Sequence, residues 1–275
     1  MKYRVAKILN SNALLAKDET ENQVVLMSKG IGFGKHIGEL IQDDAENQKI
    51  FYIHNDNASV LKMNQIDCEV KKLEEVTSEI VKIAQERLQI DNDKLYVALL
   101  DHITFAVECL NMGLPIDNPF CGEIAILYSQ EYETAQIAAE IIKERIGVEI
   151  GDAETGFIAL HLYSARKNKH IRTAMKSTRV YSEILTIVGN SMGKKLDKTH
   201  SPAKSFLLSI HCLITLTANH NPLMMSLKRQ VQLSLLDSYA TAMKVANLVD
   251  KELDIQLSED AIAFITLDIE RLKQL

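Results

Sequence analysis

Two histidines lie at the ends of strongly apolar, helix-like stretches. His102 ends the run LYVALLDH (95–102), and His161 ends the run GFIALH (156–161). A polar ring in such surroundings needs a hydrogen-bond partner or a chemical use, because burying it unpaired costs free energy. Each histidine is therefore a candidate nucleophile or metal ligand, or a packed structural residue.

The residues around these histidines narrow the chemistry. No cysteine or carboxylate follows either histidine at the third or fourth position, and Glu108 is on a different helical face from His102, which disfavours zinc. Hydrolase chemistry is disfavoured because no glycine-elbow motif surrounds a nucleophile. The remaining use is the imidazole itself, accepting a phosphoryl group on one nitrogen while the other keeps its proton. A purely structural histidine stays open as the alternative.

A second candidate is the glycine-rich segment SKGIGFGK (28–35). Its three glycines permit close approach of a partner to the backbone, Phe33 offers a ring on which a base stacks, and lysines flank the ring. A phosphate-binding loop is disfavoured, because no helical pattern follows and the terminal GK[ST] is missing. Residues 1–38 also carry six lysines and arginines against three acidic residues, which indicates a polyanion partner or a solvated basic surface.

The element pattern changes along the chain. Alternating apolar stretches predict strands at Tyr3 to Leu9, Ala13 to Ala16, Gln23 to Met27 and Ile50 to Ile53, which form a small antiparallel sheet. So short a sheet has difficulty burying a core alone, and we expect it to dimerise or dock. From about residue 65 the apolar spacing is helical.

The helical part is an internal repeat. At an offset of about 107 residues, Tyr132 aligns with Tyr239, and the run GFIALH (156–161) aligns with AFITLD (263–268). With small insertions, Asp101-His102 aligns with Ile210-His211. Histidines at matched places favour a functional role over a structural one. The resulting fold is multidomain α and β, with predicted domains at 1–56, 65–168 and 172–275, and the basic stretch 166–170 as the boundary between the helical copies.

Composition excludes several classes of protein. The 275 residues are 47% hydrophobic and 25% charged with a net charge of −6, and Cys68, Cys109, Cys121 and Cys212 are far apart. We expect reduced, mostly buried cysteines and no cofactor. With neither a membrane-spanning run nor a signal-peptide pattern, a cytoplasmic protein is expected. The N-terminal pattern is not helix-turn-helix, which disfavours DNA binding.

These motifs and their order resemble the bacterial transcription antiterminators of the BglG, SacY and LicT type. The resemblance rests on KILNSN (7–12), KGIGFGK (29–35), Asp101-His102 and GFIALH (156–161), and it spans essentially the whole chain. The segment GIGFGK (30–35) is most similar to the branch of this family that includes the glucose-permease operon antiterminators. The resemblance implies a β-sheet RNA-binding domain that dimerises, followed by two homologous all-α helical-bundle regulation domains.

Residue roles follow from the resemblance position by position. The implied RNA-binding residues are Lys7, Asn12, Lys29, Gly30 and Phe33. The implied phosphorylation sites are His102, His161 and His211, and the fourth acceptor position holds Asp268, which forms no stable phosphoramidate. Ser28 and Lys29 stand where many family members have glycine and arginine, which makes contact there less base-selective because lysine lacks the planar fork of arginine.

The implied mechanism is control of an RNA clamp by charge. A homodimer holds a hairpin in an operon leader and prevents the terminator from forming. The enzyme IIB component of a sugar permease phosphorylates the first regulation domain when sugar is absent, and like charges then disfavour the active dimer. Because of Asp268, input from the phosphocarrier HPr to the second domain is expected to be weak, or a fixed negative charge there partly stands in for phosphate. The protein is then no enzyme; the alternative is a phosphorylation-responsive protein-binding regulator without RNA activity.

Overall fold

The structure is a computed structural model. It describes residues 2–10, 13–27, 31–32, 35–42, 49–52, 66–111, 113–114, 117–197 and 200–274. Contacts divide the chain into two compact units, one formed by residues 1–85, 93–117 and 137–154, and the other by residues 86–92, 118–136 and 155–275.

An antiparallel sheet forms the N-terminal part of the first unit. Its strands are β1 (Lys2–Asn10), β2 (Ala13–Lys17), β3 (Gln23–Met27), β4 (Leu40–Gln42) and β5 (Lys49–Tyr52). They lie in the order β4-β1-β2-β3-β5, and all neighbours are antiparallel. The predicted small antiparallel sheet is confirmed. The sequence did not predict β4, because three residues are too few to show alternation.

One face of the sheet supplies its core. Tyr3, Ala16, Val24 and Leu26 are buried together, and Ile31 packs against them. Alternate residues of a strand point to opposite faces, so Arg4 is exposed between buried Tyr3 and Val5. Along β1 the alternation thus separates buried apolar residues from exposed basic ones, whereas in β3 the consecutive residues Val24, Val25 and Leu26 are all buried.

Ten helices follow among the described residues. Five belong to the first copy: α1 (Ile66–Leu88), α2 (Lys94–Asn111), α3 (Cys121–Leu127), α4 (Ser129–Ile146) and α5 (Gly151–Arg166). Five belong to the second copy: α6 (Ile171–Ser191), α7 (Ser201–Ala218), α8 (Lys228–Ser234), α9 (Leu236–Leu253) and α10 (Glu259–Lys273). Helices α3 and α8 start 107 residues apart, at 121 and 228, as do α4 and α9, at 129 and 236. The predicted repeat of an all-α domain is confirmed.

The register of α2 and α7 differs from the sequence alignment. Both helices keep the offset of 107 (94 and 201), which sets buried Leu99 and Ile103 on buried Phe206 and Ile210. Aligning His102 with His211 needs an offset of 109. That offset would align the buried residues Leu99 and Ile103 with the exposed residues Leu208 and Cys212. The two-residue insertion in the sequence alignment is therefore wrong for the folded helices. The residue equivalent to His102 is Ser209.

Local chemistry explains the start of the second copy. His170 is the N-cap of α6, and its Nδ1 accepts a hydrogen bond from the backbone N–H of Arg172 at 3.2 Å. The basic stretch thus lies between the end of α5 at Arg166 and the start of α6 at Ile171.

The cysteines match the sequence expectation only in part. Among those whose side chains the structure describes, Cys109 is buried, Cys121 is partly buried and Cys212 is exposed, and all three are free thiols. The expectation of mostly buried cysteines is thus wrong for Cys212. Burial, together with the negative charges of Glu154 and Glu108, raises the pKa of Cys109 to about 12, so it remains a thiol at neutral pH.

Candidate functional site

The strand register brings the predicted RNA-binding segments to one end of the sheet. Asn10 pairs with Ala13 across the β1–β2 connection, and Ala13 pairs with Met27, the last residue of β3. The segments that follow Asn10 and Met27 therefore start from the same end. The predicted residues Asn12, Lys29, Gly30 and Phe33 lie outside the described residues.

The opposite end of the sheet is acidic. The turn between β2 and β3 contains Asp18, which accepts hydrogen bonds from the backbone N–H groups of Thr20 at 2.8 Å and Asn22 at 2.9 Å. The hydrogen bond from the Thr20 hydroxyl, with these backbone bonds, lowers the pKa of Asp18. Glu19 and Glu21 are exposed in the same turn. The basic residues Arg4 and Lys17 pair across β1 and β2 at this same end, and Lys17 forms an ion pair with Glu21 at 2.7 Å.

Lys7 is the predicted RNA-binding residue that the structure describes. It lies on β1, its side chain is 54% exposed, and its Nζ forms an ion pair with the carboxylate of Glu108 on α2. Helix α2 also carries His102. The ion pair thus links a basic residue of the sheet to the helix that carries a candidate phosphorylation site.

His102 has a buried carboxylate partner. Its Nε2 lies 2.8 Å from Oε2 of Glu154, and the two side chains are 16% and 2% exposed. Glu154 belongs to the first turn of α5, where the positive end of the helix dipole favours a carboxylate. This partner is 52 residues further along the chain, so the local spacing of three and four residues around His102 does not reveal it.

His161 lies in the middle of α5. It is partly buried between the fully buried Leu160 and Leu162. On the same helix, a Cβ at Gly156 would come within 2.8 Å of Nδ2 of Asn118, so the glycine of the GFIALH run allows a close contact with this side chain.

His211 lies on α7 and contacts a buried tyrosine. Its Nδ1 is 2.8 Å from the hydroxyl oxygen of Tyr181, and the two rings meet edge to face with centroids 5.6 Å apart. Burial, with a contribution from the charge of Lys167, lowers the pKa of His211. Burial raises the pKa of Tyr181, so the pair is a neutral imidazole and a neutral phenol at neutral pH.

Asp268, at the altered fourth position, is bound on both carboxylate oxygens. Its Oδ2 accepts a hydrogen bond from the hydroxyl of Ser209, and its Oδ1 lies 3.0 Å from Nη2 of Arg271. The aspartate side chain is 15% exposed. The contact to Ser209 joins α10 to α7.

Family comparisons agree with this architecture. The model of the CAT RNA binding domain matches residues 3–59, and that of the PRD domain matches residues 74–165 and 182–272. The chain therefore belongs to the BglG family of transcription antiterminators, in which a CAT domain precedes two PRD domains. It is an RNA-binding antiterminator regulated by phosphorylation through the sugar phosphotransferase system.

Curated relatives match nearly the whole chain. The beta-glucoside operon antiterminator of Dickeya chrysanthemi is 28% identical over 98% of this chain and 96% of its own. The transcription antiterminator LicT of Bacillus subtilis (strain 168) is 28% identical over 98% of each chain. Protein GlcT of Staphylococcus saprophyticus is 28% identical over 97% of this chain and 96% of its own.

Among solved structures, the crystal structure of GlcT CAT-PRDI matches with 32% identity and a TM-score of 0.35. The match covers 61% of this chain and 100% of that one.

No helix among the described residues is long and apolar enough to cross a bilayer.

Proposed function

We propose that this antiterminator binds a leader RNA hairpin as a homodimer and that phosphorylation of His102 and His161 switches it off. The observation that carries the proposal is the contact between Nε2 of His102 and the buried carboxylate of Glu154. We infer that the carboxylate beside Nε2 favours a proton on that nitrogen, which would leave Nδ1 as the nucleophile. His102 is then a positioned phosphoryl acceptor.

The sheet supports the RNA-binding part of the proposal. Its non-acidic end leads into the segments that carry Asn12, Lys29, Gly30 and Phe33, and Lys7 is exposed on β1. We assign Lys7 and Lys29 to phosphate contacts, Asn12 to base edges, Gly30 to close backbone approach and Phe33 to stacking.

A second copy of the chain is the proposed partner of the sheet. Ile37 and Leu40, beside and within edge strand β4, are 73% and 57% exposed. Exposed apolar side chains at a sheet edge are a surface that association covers, and a five-stranded sheet has a small core of its own. Dimerisation would also double the basic surface that faces the RNA.

Control is proposed to come from the phosphotransferase chain. The enzyme IIB component of a sugar permease would transfer its phosphoryl group to His102 and His161 when sugar is absent, adding about −1.5 to −2 charge at each. Two protomers whose first regulation domains meet would then repel each other. The expectation from sequence was a weak input from HPr to the second domain, with His211 as the predicted acceptor. The protein would be a phosphorylation substrate rather than an enzyme, and would act in the cytoplasm.

Transfer of phosphoryl groups in a purified system tests the proposal. The full chain is incubated with phosphorylated enzyme IIB, and the modified histidines are mapped by mass spectrometry at alkaline pH. We expect label at His102 and His161, which His102→Ala and His161→Ala each reduce. His220→Asn, in an exposed turn with φ of 57°, is the control and should leave the label unchanged. Label that is unchanged in both alanine variants would contradict the proposal.

RNA binding is tested separately. The unphosphorylated full chain should retain a leader hairpin, with an affinity that falls steeply as salt rises. A protein that is phosphorylated normally but ignores every leader hairpin would instead be the protein-binding regulator that the sequence left open.

A further inference from the structure

The repeat allows each residue of the first domain's candidate site to be compared with its equivalent in the second domain. At the offset of 107 residues, buried Ile158 and Leu162 of α5 coincide with buried Ile265 and Ile269 of α10. The same offset holds for the buried faces of α2 and α7. The equivalents of His102, Glu154 and His161 are therefore Ser209, Ala261 and Asp268.

Two of the replacements remove a histidine, and the third removes the carboxylate that lies beside one of them. Serine and aspartate have no imidazole nitrogen, so neither position forms a phosphohistidine. Ala261 is 1% exposed, as is Glu154, and its methyl group takes the place of the carboxylate that orients His102. The second domain therefore lacks the acceptors and also the group that would position one.

Ser209 and Asp268, at the positions equivalent to His102 and His161, contact each other. The Ser209 hydroxyl donates to Oδ2 of Asp268, which ties α7 to α10, and Arg271 holds Oδ1 at 3.0 Å. A hydrogen bond to a charged, largely buried carboxylate is stronger than one between neutral groups. Asp268 also places a permanent negative charge where His161 in the first domain would acquire one by phosphorylation.

His211 does not restore the missing acceptor. It lies two residues beyond the position equivalent to His102, which turns it about 200° around α7 toward α6, where the Tyr181 hydroxyl lies 2.8 Å from its Nδ1. It belongs to the packing of α7 against α6. This assignment replaces the expectation from sequence that His211 is a phosphorylation site.

We propose that the Ser209–Asp268 contact replaces phosphorylation in the second regulation domain, which is therefore held in one state whatever the supply of phosphorylated HPr. The inference rests on the proposed function, in which His102 and His161 are the acceptors of the first domain. Sugar availability then reaches the RNA-binding domain through the first regulation domain alone.

Phosphoryl transfer from HPr tests the loss of acceptors. Full-length protein is incubated with phosphoenolpyruvate, enzyme I and HPr, and modified histidines are mapped at alkaline pH. We expect no phosphohistidine in residues 172–275, either in the wild type or in the His102→Ala/His161→Ala variant. Phosphate on His211 or on another histidine of the second domain would overturn the inference.

Restoring the three residues tests the same point in the other direction. The triple variant Ser209→His/Ala261→Glu/Asp268→His, in the His102→Ala/His161→Ala background, should gain HPr-dependent label at position 209 or 268. If this variant folds, as judged by its circular dichroism, and remains unlabelled, the equivalence of the three positions is refuted.

Hydrogen exchange tests the contact itself, without any phosphoryl donor. Ser209→Ala should raise amide exchange rates in α10 and α7 several-fold. The matched control Ser205→Ala makes the same change at an exposed position of α7 and should leave these rates unchanged. Equal exchange in the two variants would overturn the inference. Unlabelled His102 and His161 with rapid exchange in Ser209→Ala would refute the proposed function and leave the contact supported.

Discussion

Nε2 of His102 lies 2.8 Å from Oε2 of Glu154, although the two residues are 52 positions apart in the chain. The glutamate side chain is 2% exposed, so its carboxylate cannot turn to solvent and is committed to its local partners. A histidine held in this way presents one ring orientation to a phosphoryl donor. Ring orientation at His102 is thus the structural property that the first predictions test.

The variant Glu154→Gln keeps the size of the side chain and removes its charge. Without the negative charge beside Nε2 the ring loses its preferred orientation, so we expect the rate of phosphoryl transfer to His102 to fall on the order of tenfold, which corresponds to about 1.4 kcal/mol. The rate is measured by single-turnover transfer from enzyme IIB. Glu149→Gln, at a carboxylate that is 77% exposed, is the control and should transfer at the wild-type rate. Equal rates in the two variants would show that Glu154 does not position the ring.

The same contact predicts which nitrogen carries the phosphoryl group. Because Glu154 engages Nε2, the modification is expected on Nδ1 of His102. Phosphorus and nitrogen NMR of the labelled full chain distinguishes the two isomers. An Nε2 phosphohistidine at this position would mean that the glutamate must move away before transfer.

Lys7 is predicted to contribute one phosphate contact to RNA binding. Lys7→Ala should weaken hairpin binding and make the slope of log affinity against log salt shallower by about 0.7–0.9. Lys17→Ala is the control, because Lys17 pairs with Glu21 at 2.7 Å at the acidic end of the sheet. A loss of affinity with an unchanged salt slope would assign Lys7 a structural role instead.

The ion pair between Lys7 and Glu108 predicts competition between the regulation domain and RNA. Glu108→Gln frees the lysine, and because partly exposed ion pairs are weak, we expect RNA affinity to rise only about two- to five-fold. Glu140→Gln, an exposed carboxylate on α4, should have no effect. Affinity that falls in Glu108→Gln would mean that the ion pair supports the RNA-binding arrangement.

His211 predicts a pH dependence of stability. Its pKa in the folded protein is lowered from 6.5, so the unfolded chain binds the proton more readily. Above pH 6.5 the contribution of His211 to the free energy of unfolding should therefore not change with pH. Below pH 6.5 the free energy of unfolding should decrease as the pH falls. His211→Gln should reduce this acid-induced loss in urea titrations between pH 7 and pH 5. An equal loss in both proteins would place the titrating group elsewhere.

The sequence predicted the features that depend on local patterns. Apolar stretches of four or more residues identified β1, β2, β3 and β5, and the helical period with its self-similarity identified the repeated domain. Strand β4 has three residues and no such pattern, and Gly38, with φ of 89°, is the turn residue that leads into it.

Features that depend on helix packing could not be predicted from the sequence. Glu154 resembles any acidic residue of a first helical turn until α5 brings it to His102. The pairing of His102 with His211 was a choice between two registers, and only the buried faces of α2 and α7 distinguish them. Ser209 was missed for that reason, since its significance depends on its contact with Asp268.

Sugar is proposed to control this antiterminator through phosphate on the first regulation domain. Mass spectrometry at alkaline pH, on protein from cells grown with and without the cognate sugar, measures this phosphate directly. We expect phosphate on His102 and His161 in starved cells and its loss when sugar is supplied, with antitermination rising in step. Unmodified His102 and His161 in starved cells with repressed antitermination would contradict it.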